Sequence, residues 1–145
     1  MLHKRYFNYY IKITSIFFYI LPIALVSGPF LPDLIISFSC VYFLIINFIR
    51  KDYKYFNNLF FKIFLIFYSY LIIRSFFANY YSAFFYLRFG IFPLIILQLL
   101  ENNKNFEKNF YKIVFILLIF LSLDALIQKF FGYNLIGLKK YPTID

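Results

Sequence analysis

Five long stretches with few or no charges divide this chain, and they limit its fold more than any other feature. A helix rises 1.5 Å per residue and must cross roughly 30 Å of hydrocarbon, so about 20 apolar residues make one membrane span. The first stretch runs Ile13 to Pro32, between Lys12 and Asp33, and contains Pro22, which is expected to kink it. The second, Leu34 to Ile49, has only 16 residues, about 24 Å of helix. Pro29 and Pro32 are expected to mark a turn, so these two segments read as a tight, broken hairpin. The third runs Leu59 to Phe77, with Lys62 near one end and Arg74 near the other. The fourth is Ala83 to Leu100, containing Arg88, Gly90 and Pro93. The fifth is Ile113 to Phe131, containing Asp124, Gln128 and Lys129. The fold expected is an all-α, polytopic transmembrane bundle of about five spans, with four or six as alternatives, forming one domain over residues 1–145.

Composition agrees. The chain is 63% apolar and 14% charged, with a mean hydropathy of +0.76. A soluble domain is nearer half apolar and about a quarter charged, and one this small leaves much of its surface in water. One cysteine, Cys40, and one histidine, His3, exclude an intrachain disulfide framework and a Cys/His zinc cluster. The formal charge of +9 would suggest nucleic acid in a soluble protein. Here most of the basic residues fall in short segments between apolar runs, so no nucleic-acid partner is expected. The 24 Phe and 15 Tyr are what an AT-rich genome favours, and they carry little functional meaning. Walker, GxGxxG, GxSxG and HExxH signatures are absent, and no cofactor is expected.

Lys and Arg give an orientation. Lys4, Arg5 and Lys12 precede the first span. Arg50, Lys51, Lys54 and Lys62 fall before and within the start of the third, and Lys104, Lys108 and Lys112 precede the fifth. The turns 28–33 and 78–82 carry none. This asymmetry predicts a cytoplasmic amino terminus and an external tail after Phe131, with Lys139 and Lys140 as a mild exception. A cleaved signal peptide is the competing reading of the first forty residues. Pro29 would follow a cut at Gly28, and the apolar stretch continues almost directly into the next, so a retained span is expected.

Ionisable residues inside spans are costly and usually have a purpose. Lys62 and Lys129 lie near span ends, where a long side chain can snorkel. Arg74, Arg88 and Asp124 lie roughly 5, 7 and 10 Å below the outer surface at 1.5 Å per residue. Gln128 shares the helix face of Asp124, and Tyr70 stands one turn below Arg74. Two readings follow. In one, Asp124 pairs with Arg74 or Arg88 and locks the bundle. In the other, Arg74, Arg88, Asp124 and Gln128 form a pocket for an anion, because the planar guanidinium fork suits a phosphate or diphosphate.

Three segments bear a family likeness. LPIALVSGPFLPDLIIS (Leu21 to Ser37) resembles the opening spans of the O-antigen ligase and O-antigen polymerase family. YLRFGIFPL (Tyr86 to Leu94) and DALIQKFFGYNLIG (Asp124 to Gly137) are similar to later pieces of it, in the same order and spacing. The resemblance implies a polytopic, metal-independent glycosyltransferase of the bacterial inner membrane. Such enzymes take a glycan from undecaprenyl diphosphate and place it on lipid A core or on another repeat unit, in lipopolysaccharide and other polysaccharide biosynthesis. The partners it implies are membrane lipid and a polyprenyl-diphosphate-linked glycan. The family's essential Arg and His lie in or beside a large periplasmic loop that is not found before Asp145, so no catalytic residue carries over. The chain is expected to correspond to the first third of such an enzyme, as a truncated frame or a fragment, and to be inactive alone. The alternative is a stand-alone, non-catalytic membrane protein, either a small transporter or an accessory subunit of glycan export.

Overall fold

The computed structural model describes residues 2–79 and 81–133. Its elements are α1 (Leu2–Ser27), α2 (Phe30–Arg50), α3 (Leu59–Phe77), α4 (Leu87–Asn102) and α5 (Phe106–Phe131), with short 3-10 turns at Lys54–Asn57 and Tyr81–Tyr86. Among the described residues the fold is all-α, and five helical segments are long and apolar enough to cross a membrane. Phe48 and Ile66 are each 74% exposed and Phe77 is 86% exposed. So much apolar surface belongs against lipid rather than water. The chain is a multi-pass membrane protein.

The first hairpin differs from expectation in one respect. Gly28, at φ +123°, makes the break, and α1 stops at Ser27. A side chain at that backbone angle would be strained, so glycine fits there. Pro29 stands at the cap of α2, and its carbonyl accepts from the Asp33 amide at 3.3 Å. Pro32 lies inside the first turn of α2, where its missing N–H would have had no helical partner. Helix α2 therefore takes in Pro32 and Asp33 and reaches 21 residues, about 31 Å and a full span. It ends at Lys51, in the left-handed region at φ 54°, with the Asp52 amide donating back to the Asn47 carbonyl at 3.0 Å. The fourth candidate span runs Tyr81–Asn102 and takes in the expected Ala83 to Leu100, but its first part, Tyr81–Tyr86, winds as a 3-10 turn before α4 begins at Leu87.

The chain divides into two compact units, residues 1–107 and 108–145. In the first, α4 packs on α1, α2 and α3. Its buried residues are Gly90, Ile91, Leu94, Ile95, Gln98 and Leu99, the repeat of one helix face. Helix α2 answers with Ser39, Cys40, Phe43, Ile46 and Asn47. The second unit contains most of α5, which stops at Gly132 (φ +78°), whose amide donates to the Gln128 carbonyl at 3.1 Å.

Gly90 of α4 faces Phe64 of α3. A Cβ there would overlap the ring of Phe64, which stacks between Phe61 and Tyr68. Gly90→Val is expected to lower thermal stability in detergent by about 1–3 kcal/mol, the usual cost of overpacking. Adding Phe64→Ala should recover part of that loss. A Gly90→Val protein as stable as the parent would contradict the close approach.

Candidate functional site

The first unit gathers polar groups in three places. At the end carrying the Gly28 turn, Arg88 opens α4 and Asp33 opens α2, so both helix starts bring their charges to one level. Arg88 Nη1 donates to Asp33 Oδ2 at 2.7 Å and to Ser37 Oγ at 3.2 Å. Ser37 stands one turn after Asp33 on the same face of α2. The Cys40 thiol, a further turn along, donates weakly to the Arg88 carbonyl at 3.6 Å. These contacts fix one nitrogen of the guanidinium. Arg88 Nε is buried and has no hydrogen-bond partner. A buried donor left unmatched is costly and marks a place where an acceptor would be welcome.

Arg74 lies near the other boundary of the same end, in the last turn of α3, and its Nη1 donates to the Tyr70 hydroxyl at 3.3 Å. Asp124 and Gln128 belong to the second unit, one turn apart on α5 and both half-buried. The sequence offers Asp124 as the counter-ion of Arg74 or of Arg88. Within the first unit that place is held by Asp33, which the sequence reading had taken as a boundary charge. Asn134 to Gly137, the end of the third family-like segment, lie outside the described residues, as do Lys139 and Lys140.

The second polar group is buried among α1, α2 and α4, toward the ends of α2 and α4 away from the Gly28 turn, and was missed from sequence. The Tyr10 hydroxyl donates to Gln98 Oε1 at 2.7 Å, and Gln98 Nε2 donates to Asn47 Oδ1 at 3.0 Å. Asn47 Nδ2 donates to the Phe43 carbonyl one turn back, at 2.8 Å. Tyr10, Asn47 and Gln98 are all 0% exposed. One chain of hydrogen bonds thus joins α1, α4 and α2. Its signal in the sequence was a lone amide in each of two apolar runs, LIINFIR and LIILQLL.

The third group caps the opposite end. Lys54 Nζ and the Tyr55 hydroxyl both donate to Glu101 Oε2 at 2.8 Å, and Asn102 Nδ2 donates to the Tyr55 oxygen at 3.3 Å. Burial, helped by the Glu101 carboxylate, pushes the Tyr55 phenol up to about 12. It therefore remains a neutral donor at any ordinary pH. This cluster ties the Lys54–Asn57 turn to the end of α4.

Among the described residues no group of three or more His, Cys, Asp or Glu stands close enough to hold a metal ion. What the Arg88 end can do chemically is grip an anion. Comparison with protein-family models, with curated proteins and with solved structures finds no match.

Proposed function

We propose that this chain is the amino-terminal membrane part of an O-antigen ligase- or polymerase-like protein of the bacterial inner membrane. In this reading its Arg88 end receives the diphosphate of a polyprenyl-linked glycan during cell-surface polysaccharide assembly. The observation that carries it is the meeting of Arg88 with Asp33 and Ser37. Asp33 and Ser37 come from one family-like segment and Arg88 from another, and they form one hydrogen-bonded site. The guanidinium is held through Nη1, and its buried Nε has no hydrogen-bond partner, so a diphosphate oxygen would supply the missing acceptor once the side chain turns to meet it. Arg74, one span away at the same end, adds positive charge. The transfer chemistry itself is assigned to no residue of this chain.

The reading requires the Arg88 end to face away from the cytoplasm, where such glycans are assembled. The asymmetry of Lys and Arg supports that orientation. Reporter fusions at Asn57 and Asn105 are expected to report a cytoplasmic location, and a fusion at Asn79 an external one. The reverse pattern would place Arg74 and Arg88 on the cytoplasmic side and end the proposal.

A further inference from the structure

At the end opposite Arg88, α2 finishes on a second arginine with unused hydrogen-bonding capacity. The guanidinium carbon of Arg50 stands 3.7 Å from the centroid of the Phe7 ring. Its nearest carboxylate, Asp52, lies 3.8 Å from Nη2, too far for a good hydrogen bond. Nη1 is buried and has no hydrogen-bond partner. A guanidinium carries five N–H donors in a fixed fork, and stacking on Phe7 sets the plane of this one without engaging them.

A cavity of about 550 Å³ lies against this arginine, with Tyr6, Tyr42, Ile45, Ile46 and Ile49 among its lining. A second cavity of about 520 Å³, almost wholly apolar, is lined by Leu44, Ile45, Phe48, Ile49 and Phe56 among others. Ile45 and Ile49 line both. At 3.6 residues per turn, Tyr42 and Ile46 fall to one side of the Ile45–Ile49 row, and Leu44 and Phe48 to the other. The two cavities are therefore grooves on either flank of one ridge of α2, and the ridge ends one residue short of Arg50.

We propose that this end of the protein holds one anionic phospholipid, with its phosphate on Arg50 and one acyl chain in each groove astride the Ile45–Ile49 ridge. Any apolar helix face touches bulk lipid. This one differs in having two adjacent grooves that share the Ile45–Ile49 ridge, each within the size range of ligand cavities. The groove on the Tyr42–Ile46 flank is also lined by Arg50, a cation with an unpartnered donor. The charges nearby favour an anion. Lys51 caps the same helix and Lys54 follows it, against Asp52 beside Arg50 and Glu101, which engages Lys54 at 2.8 Å. A two-tailed lipid with a phosphate head fits two adjacent grooves with a cation lining one of them, and a single-chain ligand would leave one groove unfilled.

The test uses the purified full chain in mild detergent, loaded with equal amounts of dioleoyl phosphatidylglycerol and dioleoyl phosphatidylcholine. Retained lipid is counted by native mass spectrometry. The expected result is roughly tenfold preference for phosphatidylglycerol, the size of one charge-assisted contact. Arg50→Gln should remove that preference and Lys54→Gln should leave it. Ile49→Trp, which obstructs both grooves, should lower retention of either lipid. Glycerol 3-phosphate in excess should not displace the lipid, because it lacks the chains that fill the grooves. Equal retention of the two lipids by the unaltered protein would overturn the proposal without any variant. So would a preference that survives Arg50→Gln, or displacement by glycerol 3-phosphate.

Discussion

Gln98→Leu is expected to destabilise the first unit by about 2–4 kcal/mol, because one change strips two wholly buried groups of their partners. The Tyr10 hydroxyl loses its acceptor and Asn47 Oδ1 loses its donor. Hydrogen bonds between helices in a membrane average only about 0.6 kcal/mol, since separated helices find other partners. That average describes what making a bond is worth. Leaving an acceptor stranded inside a packed bundle is the larger effect, and Asn47 has no exposed surface from which to find a substitute. The Tyr10 hydroxyl, by contrast, has the buried, unpartnered Thr14 Oγ1 one turn along α1. The same reasoning predicts recovery. Tyr10→Phe, Asn47→Leu and Gln98→Leu together remove every member of the chain, so the triple variant should regain much of the stability lost by the single one. Unfolding by dodecyl sulfate titrated into mild-detergent micelles would measure both. A Gln98→Leu protein as stable as the parent, or a triple variant weaker than the single, would contradict the account.

The helices were legible because a span is a local property. Length and hydropathy within each stretch are enough to find five of them, and α3 falls on Leu59–Phe77 as expected. The errors came where proline has two meanings. Pro29 and Pro32 both read as turn residues, yet only the Gly28–Pro29 step turns the chain, and Pro32 sits in the first turn of a helix. That placement turns an apparently short second span into a full one. The same ambiguity hid the 3-10 turn at Tyr81–Tyr86, since Ala83 to Tyr86 is as apolar and aromatic as the helix after it.

The candidate site was half legible. Arg74 and Arg88 stand out in sequence because a charge within a span is rare. Asp33 did not, because a carboxylate between two apolar runs looks like an ordinary boundary. Its partner Arg88 is 55 residues away, and no periodicity within a helix encodes which distant helix will lie beside it. The Tyr10–Gln98 pair, 88 residues apart, was invisible for the same reason. Helix faces can be read from spacing, but helix neighbours cannot.

Arg88→Lys is expected to weaken binding of a polyprenyl diphosphate to the purified chain roughly tenfold or more, with no loss from Lys62→Ala. Lysine keeps the positive charge but has no planar fork. It could still meet Asp33 with one of its three donors, but the other two diverge from the same nitrogen and cannot form the parallel, planar pair that a diphosphate oxygen pair would meet. Lys62 lies in the first turn of α3, at the opposite end of that helix from Arg74 and so away from the proposed diphosphate site. The comparison must be made at equal amounts of folded protein, since weakening the Arg88–Asp33 pair can lower folding yield without touching the ligand. The most direct measurement is therefore the affinity of the reconstituted chain in nanodiscs for a polyprenyl diphosphate and for the corresponding polyprenol. The account predicts tight binding of the diphosphate only, lost in Arg88→Lys and kept in Lys62→Ala. Equal affinity for diphosphate and alcohol, or full affinity in folded Arg88→Lys, would show that Arg88 serves only as the counter-ion of Asp33.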